Sequence, residues 1–317
     1  MAWVGNAMVS YNKMPDMLES MLKQGGVLLK QKDVLVGGQG LCGHSLDANV
    51  KQLLHAEKYS YIVLQDHSSV PGGADETAFQ DTMAALDSFF AAHLPPASSC
   101  AVLLFNTWGH RDGSRPDHRP QHNFHYPNFL EMNAKTCAGY LAYKATLTEA
   151  AAEDLDVRIV PVGEAFRRIY IAVERQGQDP NDPDSLFARL YAPDGYHPSR
   201  LGSFLAACVF YGAMTGRSPK DLTFDTRGRT LIMEGFLVQK AFLDTVFDEF
   251  MRSKLGDDKW KPEALTPELV RPLQAFAHAA LYPGEEDEEQ ILLPSISRDS
   301  AERRSRSKRL ARVLSLP

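Results

Sequence analysis

Short apolar runs recur along this chain, and each stops on glycine or a polar residue before a segment of helical character. "MAWV" runs straight into Gly5-Asn6. A β-rich run, Val27–Val36, ends in Gly37-Gly38. "YSYIVLQ" at 59–65, "CAVLLFN" at 100–106 and "VRIVPV" at 157–162 have the same buried-strand character. Between them lie helical segments. In Thr77–His93, Phe79, Met83, Leu86, Phe89 and Phe90 share one face. Asn128–Leu155 reads as one long helix or two, and Glu164–Arg175 as another. Gly202–Thr215 is apolar nearly all round, which predicts a buried helix closed by Gly216. Runs alternating in this way predict a parallel sheet with helices on both faces.

A chain of 317 residues with 44% hydrophobic and 23% charged residues can bury its own core without staples. The net charge of −6 argues against nucleic acid as a general partner. No apolar run reaches the ~18 residues of a membrane span. No leader is visible at the N-terminus, which sets a cytoplasmic default and leaves open a start already trimmed. The four cysteines form no CxxC pair and read as buried small hydrophobes. The pattern weakens after Pro219, where Leu231–Lys254 reads as an amphipathic helix. From about Pro283 an acidic stretch and then a basic one predict a solvated, disordered tail. The expected organisation is a domain over 1–225, a helical extension packed on it over 226–282, and the tail over 283–317.

In open parallel sheets, ligands bind beyond the carboxyl ends of the strands. Gly5-Asn6-Ala7, Gly37-Gly38 with His44 nearby, Gln65 in "LQDHSS" and "TWGHRDG" at 107–113 fall at such ends. A fifth motif, "YAPDGYHPSRLGSFLAACVFYGAMTGRSP", sets Asp194 and His197 three residues apart. One turn can present both side chains, and a carboxylate that fixes an imidazole is what a general base needs. An ordinary Asp-Gly turn before a helix cap reads the same residues equally well.

These stretches resemble the SGNH/GDSL hydrolase superfamily, in particular a branch with "GNS…LP…L" near the start and "DGxHPSxxGSYLAACVFYxxLTGxSP" near the end. The likeness covers about residues 3 to 220. "YIVLQDHS", "GGQGLCGH" and "NTWGHRDG" resemble further blocks of that branch. The resemblance implies a three-layer α/β/α sandwich, flavodoxin-like, with a parallel sheet of about five strands. It implies a Ser-His-Asp esterase acting on acyl or acetyl esters, plausibly of carbohydrates, with no cofactor and no metal. His197 would be the base and Asp194 its orienting partner. Gly38, Gln65 and the N–H of residue 7 would form the oxyanion hole, which needs N–H donors aimed at the developing charge. Asn6, Trp108, Arg111 and His67 are the candidate substrate contacts.

The nucleophilic serine of that branch aligns with Ala7, and Gly5, Asn6, Tyr11, Asn12 and Pro15 keep the register around it. Loss of such a nucleophile costs several powers of ten in rate. Three explanations stand: a deliberate replacement, a pseudoenzyme that binds an ester or glycan without turnover, or attack by another group. Ser10 is the nearest hydroxyl, with Ser45 and Cys42 behind it. Four histidines (His110, His118, His122, His125) crowd one loop, which reads as a solvated lid rather than a metal site because of its Pro and Gly content. Arg111 and Arg115 suit an anionic substrate group or plain surface charge. Trp108 suits a sugar face or the core, and His67 the cleft or a satisfied loop position. Neither the substrate nor the oligomeric state is legible.

Overall fold

A computed structural model describes residues 1–95, 100–115, 125–151, 155–223 and 265–284, with Ile291 and Leu293. The expected helix at Leu231–Lys254 and nearly all of the tail lie outside the described residues. The chain divides into two compact units. One comprises 1–10 and 28–164, the other 11–27 and 165–317.

The first unit holds a five-stranded, all-parallel sheet: β1 (Ala2–Gly5), β2 (Lys32–Leu35), β3 (Tyr61–Leu64), β4 (Ala101–Phe105) and β5 (Asp156–Val160). Their spatial order is β2-β1-β3-β4-β5, the flavodoxin-like order of an open α/β sheet. Ala2, Val4, Ile62, Leu64, Val102 and Leu104 share one core cluster. Leu41, Val50, Leu86, Tyr140, Tyr143 and Leu147 from the unit's helices belong to the same cluster. Trp3, Val63, Leu103 and Phe105, at the alternate positions, are buried too. Burial on both faces is why these strands read as unbroken apolar runs.

The helices of this unit are α1 (Ala7–Ser10), α3 (Leu41–Ser45), α4 (Ala48–Ala56), α5 (Glu76–Ala85), α6 (Ala91–His93) and α7 (Phe129–Ala150). Asp47, Asp75 and Asn128 start α4, α5 and α7 by accepting backbone N–H bonds from Asn49, Ala78 and Glu131. A π-turn, Leu86–Phe90, joins α5 to α6, so the predicted 77–93 helix is continuous but not uniform. Within the segment 128–155, Phe129–Ala150 forms one helix.

The expected strand Val27–Val36 is shortened to Lys32–Leu35. α2 (Met14–Gln24) ends with Gly25, Gly26 and Val27 donating to Met21, Lys23 and Leu22 carbonyls, with Gly26 at φ 79. Val27 and Leu28 then stand exposed, at 41% and 86%. β2 is a sheet edge, and the apolar flank before it has no sheet to bury against.

Among its described residues the second unit holds the helices α2, most of α8 (Val162–Arg175), α9 (Arg200–Thr215) and α10 (Pro267–Leu281). α8 therefore starts two residues before its predicted position, and Val162 opens a helix instead of closing a strand. Its buried residues in this unit, Ala165, Phe166, Ile169, Tyr170 and Val173, follow the helical repeat. α9 is buried from Leu201 to Gly212 and closes on Gly216 at φ 66. Ser199 caps it by accepting from Leu201 and Gly202 N–H. α10 lies against α9. Gln274 Nε2 donates to the carbonyls of Pro219 (2.7 Å) and Leu222 (3.0 Å), which ties α10 to the chain just after α9.

Candidate functional site

In the first unit the candidate residues gather where β1, β2 and β3 end. The Gly5 carbonyl accepts from Val36 N (3.0 Å) and from His44 Nε2 (2.9 Å). A carbonyl can only accept, so His44 carries its proton on Nε2. His44 is fully buried, and that burial lowers its pKa below the usual histidine value. Asn6 caps α1: its Oδ1 accepts from Met8 N (3.0 Å), and Val9 N bonds its backbone oxygen (3.0 Å). Its Nδ2 donates to Gln39 O (2.9 Å), which pulls the β2 loop toward the start of α1. Only 3% exposed, Asn6 holds two loops together and offers little to a ligand.

Ala7 is the first residue of α1 and is partly exposed. Gly38 sits exposed in a turn closed by Gln39 N to Val36 O (3.1 Å), at φ 74, a conformation that favours glycine. Gln65 departs from its expected presentation. Its side chain is fully buried, Oε1 accepts from Asn6 N (2.8 Å) and Nε2 donates to the neighbouring Asp66 carbonyl. Its oxygen, not its N–H₂, therefore meets the residue-6 backbone. The same side chain explains Gly5, where an added Cβ would lie 2.6 Å from Gln65 Oε1.

Asp66 was not a candidate on sequence, although a charge two residues after the apolar run Tyr61–Leu64 is a usable signal. It is fully buried. Oδ1 accepts from Leu41 N and His67 N (2.8 Å each), Oδ2 accepts from Tyr143 Oη (2.7 Å), and its own N–H donates to Tyr140 Oη (3.1 Å). An added Cβ on Gly40 would lie 2.6 Å from Asp66 Oδ1. Burial raises the carboxyl pKa, opposed by the Tyr143, Leu41 and His67 bonds.

Trp108 is fully buried beside Phe105, so it is a core residue and offers no face to a sugar. Arg111 and His67 are partly exposed, and Arg115 is exposed. His67 Nδ1 is engaged with Ser69 Oγ (2.9 Å). His110 is 2% exposed between Ser68 Oγ (3.0 Å) and Ser114 Oγ, so it is a packed residue and not part of a solvated lid. His118 and His122 lie outside the described residues, and among those residues no group of three His, Cys, Asp or Glu could hold a metal. Of the alternative nucleophiles, Ser10 is exposed at the end of α1, and Ser45 Oγ donates to Cys42 O (2.6 Å). Burial, with the charges of Asp81 and Asp66, pushes the Cys42 thiol up, away from a reactive thiolate.

In the second unit, Pro193-Asp194-Gly195 makes a tight turn, with Gly195 N donating to Ala192 O (2.9 Å). Asp194 Oδ1 accepts from Tyr196 N and His197 N (3.0 Å each), and Oδ2 accepts from His197 Nδ1 (2.8 Å). Burial works to raise the Asp194 pKa, but the His197 bond and charge with the two backbone N–H groups hold it below the usual value. Ala192 N bonds His197 O (2.8 Å), and Ser199 N bonds Leu190 O (2.8 Å), pinching the loop at its base. The His197 ring lies flat on Tyr11 (centroids 4.1 Å, planes 4° apart) and tilted against Tyr196 (4.3 Å, 41°). Neither tyrosine was a candidate on sequence. Beside Tyr11, Asn12 Nδ2 donates to Pro198 O (3.0 Å) and Ser203 Oγ (2.9 Å).

No family model and no curated protein matches this chain. Among solved structures it is similar to a DUF4886 family protein from Bacteroides uniformis, with a TM-score of 0.58 at 15% identity, over 90% of this chain and 96% of that one. That likeness is one of fold. A proposed SGNH hydrolase from Slackia heliotrinireducens aligns over 67% of this chain and 97% of its own, at TM-score 0.46 and 22% identity. A lipase, Lip_vut3, from goat rumen metagenome aligns over 68% and 97%, at TM-score 0.41 and 10% identity.

Proposed function

We propose that this chain is built as an ester hydrolase of the SGNH kind and lacks its nucleophilic oxygen. The observation that carries the reading is the Asp194–His197 pair. A carboxylate already fixed by two backbone N–H groups receives the imidazole Nδ1–H at 2.8 Å. That bond leaves Nε2 of the neutral ring as the acceptor, the state a general base requires. In this reading a serine at position 7 would give its proton to His197 Nε2 as Oγ attacks the ester carbonyl. The alcohol would leave with that proton, and water would release the acid by the same route. Residue 7 and Gly38 N–H groups would receive the oxyanion. The substrate is a small acyl or acetyl ester, of a carbohydrate or a simple alcohol. With a methyl group at Ala7, the chain as it stands forms no acyl-enzyme.

A second reading, ligand binding without turnover, draws support from Gln65, whose buried amide is occupied by internal bonds. The test is hydrolysis of p-nitrophenyl acetate, longer p-nitrophenyl esters and acetylated sugars by this chain and by Ala7→Ser. Ester hydrolysis from Ala7→Ser, at least a thousandfold above the unmodified chain, is expected, about the scale on which single nucleophile losses act. A folded Ala7→Ser protein inactive on all three classes sinks the hydrolase reading and favours the binder.

A further inference from the structure

The chain after α1 takes an unusual course. Asn12 (φ 53) and Lys13 (φ 51) are consecutive non-glycine residues in the left-handed region. Side chains rarely adopt it, and such residues persist only where surrounding bonds over-determine them. Here Asn12 is over-determined. Asn12 spends its amide on Pro198 O and Ser203 Oγ, and Ser203 Oγ in turn donates to Tyr11 O (3.3 Å). Lys13 is the N-cap of α2, but it makes no side-chain cap bond and is left-handed where an N-cap is ordinarily extended.

What the kink fixes is the Tyr11 ring, parallel to His197 at 4.1 Å, with Tyr196 against the same imidazole. Asp194 holds the His197 ring at one atom only, Nδ1, and leaves the ring free to rock about that bond. A flat aromatic partner removes this freedom. Burial, then the Asp194 charge, pushes the Tyr11 phenol well above its usual pKa, so its ring stays neutral over the working pH range.

We propose that Tyr11 is a positioning residue that sets the plane of the His197 imidazole, and that the strained Asn12–Lys13 kink exists to hold it there. The proposal rests on the reading of His197 as the base, but it can be tested apart from that reading. The first arm is proton NMR of the chain as it stands, following the downfield His197 Nδ1–H signal, identified by its loss in Asp194→Asn. Tyr11→Phe keeps the ring face and should keep the signal. Tyr11→Leu should broaden it, with exchange with water at least ~10-fold faster, as a loosened geometry demands. Asn12→Gly permits the left-handed backbone but loses both amide bonds. It should act like Tyr11→Leu, and it decides the matter should the leucine variant not fold. The second arm repeats the variants on Ala7→Ser, where Tyr11→Leu should lower kcat about 10-fold or more with KM unchanged, and Tyr11→Phe should stay within about 2-fold. An inactive Ala7→Ser parent overturns the hydrolase reading and leaves the NMR arm to judge Tyr11. An unbroadened signal in the folded Tyr11→Leu or Asn12→Gly protein overturns the positioning role, as does loss of the signal in Tyr11→Phe.

Discussion

Gly202, in the first turn of α9, faces the carbonyl of Leu190. A Cβ built there would lie 2.2 Å from that oxygen and 3.2 Å from Pro198 Cβ. Real Cβ contacts essentially never fall under 3.0 Å. In Gly202→Ala the Leu190 carbonyl must therefore retreat by about 1 Å, and it cannot do so alone, because it also accepts from Ser199 N at 2.8 Å. Two effects compete. Alanine gains about 1 kcal/mol of helix propensity over glycine. Overpacking against a backbone atom costs about 1–3 kcal/mol. The clash wins by up to about 2 kcal/mol, a fall in Tm of up to about 6 °C at this size. The loop that moves carries Asp194 and His197, so the Nδ1–H signal of His197 should weaken, and Ala7→Ser activity should fall about 100-fold, the scale of a 1 Å misplacement. Gly43→Ala is the control for Tm: its Cβ would meet only the flexible Gln39 side chain at 3.0 Å or more, so Tm should hold or rise. Differential scanning calorimetry and the NMR signal read both outcomes. A Gly202→Ala protein with Tm unchanged or raised and the His197 signal intact refutes the argument from close approach.

Two further outcomes are expected. The folded pKa of Asp66 is raised, so its stability contribution is present below the unfolded value of about 3.9 and is lost as pH rises through the folded value. Urea midpoints should show this chain gaining stability relative to Asp66→Asn as pH falls through the raised folded value toward the unfolded value of about 3.9; a gap that is flat down to that value, or moves the other way, removes the burial argument. His197→Gln keeps the backbone N–H that serves Asp194 Oδ1 while discarding the ring, so its Tm should drop by no more than about 4 °C, from a lost aromatic contact of about 1 kcal/mol, while Ala7→Ser activity disappears.

The inner strands β1, β3 and β4 were legible because both of their faces are buried, which writes unbroken apolar runs ending on glycine or a polar residue. β2 was the exception. At the sheet edge, burial no longer selects the sequence, so Val27 and Leu28 carried a strand's composition without a strand's environment. The Asp194–His197 pair was legible because it is local, three residues within one turn. Tyr11 and Asn12 were not. Asn12 finds its partners 186 and 191 residues away, a pairing that no spacing rule can see. Trp108 failed for another reason: an aromatic after a strand has the same sequence signature whether it faces solvent or core, and here burial is complete.

The turn around Asp194 also sorts which residues fold requires and which it does not. Asp194 Oδ1 is needed for the turn itself, since it receives two backbone N–H groups that would otherwise lack a partner. A chain with no chemistry to do would keep that aspartate for its shape, so its presence does not discriminate a hydrolase scaffold from a binder. The imidazole is different. The turn uses only the backbone N–H and C=O of residue 197, which any residue except proline supplies. Nδ1 satisfies an Asp194 oxygen that water could serve, and Nε2 makes no hydrogen bond among the described residues. Yet the ring is stacked by one tyrosine and flanked by a second, and its side chain is left only 16% exposed. Holding a titratable ring in that way costs conformational entropy and solvation that the turn does not require. The placement is what the proposed role of His197 as a base would require, with Nε2 the atom that would exercise it.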